Sequence, residues 1–297
     1  TLGHATLLRL HASYIHTRDS NPTMHSQLKA TTFEQDLAKL LLRYKPGLLD
    51  PQGITVSAKD AWSCPHPLFE TMVQALGIGA ERFASPLDVH NVGGPLPLTY
   101  WSRFPEDQLF GAHHDAYSEP WVGCTQAFPC MTEEATCKAI RWAIGSASAP
   151  VEVPTCTIMI LPYKPGMPHM TYLRHPSVQP LMYLDTHTSK PATLLPPDHW
   201  CGCPSHILQG APEPPDRPMI IVAICNTAGA DKFLTSSRAN QARQGWDRTL
   251  PAWVRDSLLP VPTPVKLTPG PRSAQRGARP TPALARRHAC PPPSRWS

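Results

Sequence analysis

Apolar residues recur at helical spacing in two stretches of the N-terminal third. From Thr32, whose hydroxyl suits a helix cap, Phe33, Leu37, Leu40, Leu41 and Tyr44 fall three or four residues apart. Glu34 and Asp36 open that helix and Arg43 and Lys45 close it, each charge complementing the helix dipole. Pro46-Gly47 stops it, and a Pro- and Gly-marked stretch runs to about Cys64. Pro67 then opens a second amphipathic helix through Leu68, Phe69, Met72, Val73 and Leu76, ending at Gly77. Beyond it the pattern becomes strand and helix in alternation. Ala80-Glu81-Arg82-Phe83-Ala84 reads as a short strand and Gly123 to Ala127 as a weaker one. Thr132 caps a helix with Glu133 and Glu134 at its positive end and Ala135, Ala139, Trp142 and Ala143 on one face. Thr155 to Leu161 and Met219 to Cys225 are unbroken apolar runs, the pattern of buried strands. Together these predict an α/β fold, a largely parallel sheet with helices on its faces. Ligands in such sheets sit beyond the carboxyl ends of the strands, so the loops after Ala84, Ala127 and Leu161 are the places to look.

With 297 residues, 41% of them hydrophobic, the chain can fill a core. Its 37 prolines and a charged fraction of 16%, against about 25% in an ordinary soluble domain, predict a surface rich in Pro, Ser, Thr and His. The net charge of +5 is unevenly placed. From Arg255 onward eight cations face the single anion Asp256, while residues 1–254 hold 19 cations and 21 anions. The basic end also holds eleven prolines from Pro251 and lacks apolar periodicity. It reads as a disordered tail at 251–297, either merely solvated or touching RNA and acidic partners nonspecifically. Residues 1–64 read as a helical, partly irregular lead-in and 65–250 as the main domain. The longest apolar run, Met219 to Cys225, is far short of the ~18 residues of a membrane span. Arg9, His11 and His16 interrupt the first apolar residues, so no secretory core is expected, although a chain starting at Thr1 leaves a preceding leader open. Nine scattered cysteines, an odd number, point to a reducing compartment, nucleus or cytoplasm.

Several tempting motifs carry little. His199, Cys201, Cys203 and His206 have the chemistry of zinc ligands but not the spacing of two separated knuckles. His113-His114-Asp115 are adjacent, and neighbours on a regular element do not face one ion, so no metal site is expected. No Gly-Xaa-Ser-Xaa-Gly elbow, Walker loop or His-Glu-Xaa-Xaa-His is present. Gly77-Ile78-Gly79 precedes its strand, where a dinucleotide fingerprint would follow one, and reads as a helix stop.

An ordered series is more specific: Pro67-Leu68-Phe69-Glu70, then Glu81-Arg82-Phe83-Ala84-Ser85-Pro86-Leu87-Asp88, then Tyr100 to Asp107, then Phe110-Gly111, then Ala127 to Glu134. Taken together these pieces resemble the phosphorylated CTD-interacting factor family of adenine-N6 methyltransferases, from about Phe33 to about Thr227. The resemblance implies a Rossmann-like core that uses S-adenosylmethionine, here spanning 65–250 behind the helical lead-in. Its best-known members methylate N6 of the cap-adjacent adenosine in mRNA, so RNA or DNA containing adenine is the implied partner. Interaction with the phosphorylated tail of RNA polymerase II is implied by resemblance alone. Trp101 to Trp121 has the spacing of a WW module but lacks the adjacent aromatic pair, so no WW module is expected. Ser85, Pro86, Asp88, Phe110 and Gly111 are the implied cofactor residues, and Phe128, Pro129, Cys130 and Met131 stand at the catalytic motif.

The family presents Asn-Pro-Pro-Phe where this chain has Phe128-Pro129-Cys130-Met131, and an Asn where it has Asp88. An adenine amino group is a poor nucleophile, because its lone pair is delocalised into the ring. An Asn oxygen and a backbone carbonyl accept its two N–H bonds and aim the lone pair at the methyl. Phe128 has no acceptor, Cys130 frees φ and adds an N–H, and Met131 offers sulfur in place of a ring face. Losing one such polar contact typically costs ~10²–10³ in rate. Gln126 points to the same side of an extended strand as Phe128, but lies ~6.6 Å back along it. The reading is therefore a methyltransferase homologue with impaired transfer, the alternative being a non-catalytic nucleic-acid-binding or scaffolding domain.

Overall fold

The computed structural model describes residues 4–21, 31–44, 64, 66–92, 96–130, 132–148, 152–163, 166–184, 219–249 and 258–259. All of them fall within one unit, Thr1–Pro262. Except for the pair 258–259, the 251–297 tail lies outside the described residues, as do His199, Cys201, Cys203 and His206.

Two helices, α1 (His4–Ser20) and α2 (Phe33–Arg43), precede the sheet. Thr32 caps α2 in a complete capping box with Gln35, satisfying two backbone donors at once. Helix α3 (His66–Leu76) has Pro67 in its first turn and stops at Gly77, whose φ of 73° is left-handed. Strands β1 (Ala80–Glu81), β2 (Thr99–Ser102), β3 (His113–His114) and β4 (Gly123–Ala127) follow, with a 3-10 turn at Pro105–Phe110. The strand expected over residues 80–84 closes after two residues: Arg82 still bonds back to Gln126, and Ser85 begins a turn. Then come α4 (Glu133–Ser148), β5 (Thr155–Pro162), a 3-10 turn at Pro168–Arg174 and β6 (Val178–Leu184). The chain continues with β7 (Met219–Cys225), α5 (Thr227–Phe233), α6 (Ser236–Thr249) and β8 (Leu258–Leu259). No described helix is long and apolar enough to cross a membrane.

The eight strands form one mixed sheet in the order β3-β2-β1-β4-β5-β7-β6-β8. Strands β1 to β5 are parallel, while β7 runs antiparallel between β5 and β6 and β8 antiparallel beside β6. The sheet is thus mixed α/β, six of its strands running one way as a largely parallel sheet would, with β7 and the short β8 reversed. Met219–Cys225 is buried on both faces, and a two-sided apolar run reveals burial but not direction. Alternation splits the core into two layers. Cys124, Ile158, Ile221 and Phe128 meet Leu68, Phe69 and Met72 of α3 and Trp246 of α6 on one face. Ala127, Met159, Leu161 and Val222 meet Ala139, Ile140 and Ala143 of α4 on the other. A third cluster joins Leu10, Tyr14, Leu40, Leu87 and Phe110, seating α1 and α2 on the turn after β2. Arg9 of α1 donates to the carbonyls of Leu87 and Val89, tying that helix to the loop after β1.

A cleft at the carboxyl ends of the parallel strands

Parallel pairing with Glu81 level with Tyr100 and Gln126 brings the ends of β1, β2 and β4 to one edge of the sheet. Strand β2 leaves β1 on one side and β4 joins it on the other, so the chain reverses its direction of travel at β1. Ligands favour such switch points in open α/β sheets. A cleft of about 680 Å³ lies there, lined from the loops after β1, β2, β3 and β4 and from the start of α4. The loop after Leu161 is not in its lining. Past β5 the chain turns into the 3-10 segment, where buried His169 bonds the Pro162 carbonyl through Nε2.

Ser85 and Asp88 line the cleft together. The Ser85 amide and hydroxyl both donate to Asp88 Oδ1, at 2.5 and 2.7 Å, and Leu87 N donates to Ser85 Oγ. Burial pushes the half-buried Asp88 carboxyl up to about 6 despite those two donors. Phe128, Pro129 and Cys130 also line the cleft, and Met131 lies outside the described residues. Phe128 is 5% exposed and belongs to the core layer under α3, so an apolar ring without any side-chain acceptor stands at this point of the wall.

Three residues expected at this cleft are not among its lining. Pro86 is buried within the turn that Ser85 and Asp88 close. Phe110 is 1% exposed and packs with Tyr14 and Leu40 of the N-terminal helices. Gly111 caps the 3-10 turn at φ 87°, and a Cβ there would meet Thr17 and Ser13 of α1. The Phe-Gly pair thus seats the helical lead-in. Phe110 fills the gap beneath α1 and Gly111 supplies the left-handed turn that lets the chain leave toward β3.

Sequence reasoning missed residues that come together only through the sheet. Arg82, 2% exposed, lies with its guanidinium carbon 3.7 Å from the Trp101 ring centroid, and Arg82 and Trp101 sit on neighbouring strand ends. Phe83 and Tyr117 pack at 5.5 Å, and Lys138 of α4 places its ammonium 3.9 Å from the Tyr117 ring centroid. Tyr44 reaches the cleft from the end of α2, where its hydroxyl donates to the fully buried Asp107. Arg43 and Ser102 also donate to that carboxylate. The one available signal was the charged pair Glu81-Arg82 between apolar neighbours.

His113 and His114 are exposed on the short edge strand β3, and Asp115 follows at φ 55°. Among the described residues no three His, Cys, Asp or Glu side chains gather as a metal group.

Residues 9–177 match the family model described as the phosphorylated CTD interacting factor 1 WW domain. The match starts earlier than the likeness noted from Phe33 and ends at Ser177 rather than near Thr227. Over that span the chain forms α1 to α4, β1 to β5 and the cleft between them, with Trp101 and Trp121 buried in one layer of the sheet core. No curated protein matches the chain. The family match covers more than half of the sequence, and the chain therefore belongs to the phosphorylated CTD interacting factor 1 family.

Proposed function

We propose that this chain is a homologue of S-adenosylmethionine-dependent adenine-N6 methyltransferases, with a Rossmann-like core whose cleft takes the cofactor and an adenine of RNA or DNA, and that its methyl transfer is impaired. The observation that carries the reading is the cleft at the β1/β4 switch point, which joins the Ser85–Asp88 turn to the Phe128–Cys130 segment. The strand order supports it: β3-β2-β1-β4-β5 is the first part of the doubly wound order, extended here by β6 with the reversed β7 inserted. The family's printed description supports a nuclear setting and a phosphorylated RNA polymerase II tail as a further partner.

The side chains present fit such a ligand. Asp88 offers carboxylate oxygens to a ribose hydroxyl or an amine, and the rings of Phe83 and Tyr117 in the lining suit contact with a base. Bound there, S-adenosylmethionine would supply an electrophilic methyl. The chain's own task is to hold the adenine amino group so that its lone pair is aimed, which requires acceptors. Phe128 brings none, and buried Gln126, two residues back, is not in the cleft lining. That same observation favours a second reading, a non-catalytic nucleic-acid-binding domain built on this core.

Thermal shift with S-adenosylmethionine and its demethylated product tests the cofactor. A ligand at ~100 times its Kd stabilises by ~2.7 kcal/mol. Radiolabelled methyl transfer to capped RNA, uncapped RNA and DNA oligonucleotides then separates the two readings. Background turnover that rises in the triple variant Phe128→Asn, Cys130→Pro, Met131→Phe supports an impaired enzyme. A shift with the cofactor, but no transfer by either protein, favours the binding domain. Absence of any shift would sink the cofactor reading.

A further inference from the structure

Arg82 carries chemistry that the cleft as described so far does not use. Its side chain is 2% exposed, yet it lines the cavity. Trp101 covers one face of the guanidinium at 3.7 Å, and Trp121 stands 5.8 Å away. Its ion-pair partner Glu119 is 55% exposed and 3.5 Å from Nη1, longer than a normal N–H···O bond. Nε and Nη1 have no hydrogen-bond partner among the described residues. Burial draws the group down to about 10, which still leaves it cationic at neutral pH. A buried charged fork with unmet donors is costly unless something that enters the site meets them. Adjacent N–H groups of one guanidinium match the two oxygens of a carboxylate or phosphate, and an aromatic face holds the fork flat while keeping water off it.

We infer that Arg82 is the oxyanion-binding residue of this cleft, its guanidinium receiving a carboxylate or phosphate group of the ligand. The inference deepens the methyltransferase reading and rests on it for the identity of the ligand. Within that reading the oxyanion has two sources, the carboxylate at the methionine end of the cofactor or a phosphodiester of the nucleic acid.

The test uses the full chain with Arg82→Met, which keeps the packing on Trp101, and Arg82→Lys, which keeps the charge but not the fork. Calorimetric titrations employ S-adenosylhomocysteine, methylthioadenosine (which lacks the amino-acid end) and a single-stranded adenine-containing RNA. If the oxyanion is the carboxylate, both variants lose S-adenosylhomocysteine affinity, by about 10-fold or more for Met, while methylthioadenosine binds unchanged. If it is a phosphate, RNA affinity falls and its salt dependence flattens, with both nucleosides unaffected. Unchanged affinities for all three ligands in Arg82→Lys, or in a folded Arg82→Met, overturn the inference. In the unmodified chain, inorganic phosphate should shift the Arg82 Nε–H resonance. That shift without any S-adenosylhomocysteine binding would end the methyltransferase reading and keep the oxyanion site. No shift and no binding would end both.

Discussion

Tyr44, the residue closing helix α2, donates its hydroxyl to Asp107, a carboxylate with no exposed surface at the far side of β2. Arg43 and Ser102 donate to the same carboxylate, so one buried anion joins the helical lead-in to the strand end that borders the cleft. The family-like run Phe104-Pro105-Glu106-Asp107 thereby acquires a structural meaning. Pro105 starts the 3-10 turn, and that turn delivers Asp107 inward.

Replacing Asp107 with Asn keeps the shape, removes the charge and leaves Arg43 facing a neutral amide. Breaking a buried pair on one side typically costs 3–5 kcal/mol. Arg43 keeps some contact with water, its side chain being 14% exposed, so a loss of about 3 kcal/mol in urea unfolding is expected. Arg43→Met should cost less, and the double variant should recover ~1–3 kcal/mol relative to additivity. A strictly additive cycle would show that the two groups do not act as a pair.

Asp88→Asn should change how stability depends on pH. With the native carboxyl pushed up to about 6 and an unfolded value near 4, the folded chain binds more protons than the unfolded chain between those limits. The wild type therefore loses stability as pH rises from about 4 to 6. Asn still accepts from the Ser85 amide and hydroxyl but carries no charge to bury. Differential scanning calorimetry should find the variant about 1–2 kcal/mol more stable above pH 6, with the difference vanishing near pH 4. A gap that widened toward acid would reverse the assignment.

Gly229 in α5 approaches β5 closely. A Cβ there would lie 2.0 Å from the Thr155 carbonyl oxygen and 2.6 Å from its carbon. The approach is fixed from both sides, because Asn226 caps α5 by accepting from Gly229 N and also accepts from Thr155 N. Since backbone rather than a flexible tip would have to move, Gly229→Ala should cost about 3 kcal/mol or more by chemical denaturation. A loss under ~1 kcal/mol would mean that α5 slides freely along the sheet.

Elements with caps or long apolar runs were legible in the sequence. Thr32 and Thr132 marked the starts of α2 and α4, and the unbroken runs marked β5 and β7. Helix α1 was not, because three of the four residues in its buried stripe, Thr6, Ser13 and Tyr14 beside Leu10, carry a hydroxyl. Strand β6 was hidden by Pro180, where its register shifts, and β3 is two residues, too short for any period; β1 was read from the sequence but ends three residues early. In the cleft, Ser85, Asp88 and Phe128 to Cys130 came from local motifs. The Arg82–Trp101 contact needs the register between β1 and β2, and the Lys138–Tyr117 contact needs α4 folded back over the sheet. Neither packing is written in local spacing.

Gln126 tests whether an acceptor has moved within β4. It precedes Phe128 by two positions on the same strand face, and it is fully buried, with neither amide atom hydrogen-bonded among the described residues. On β1 the residue level with it is Glu81, whose carboxylate is engaged by buried His90. On β5 its neighbour is Ile158, in the core layer under α3. These surroundings place the amide beneath the helices rather than in the cleft. Gln126→Leu should then relieve an unmet polar group and raise stability by about 1 kcal/mol. Methyl transfer, measured beside the Phe128→Asn restoration, should be the same with Leu at 126 as with Gln. A fall in transfer on losing Gln126 alone, with cofactor affinity intact, would show that the amide reaches the substrate and that Phe128 is not the cause of impairment.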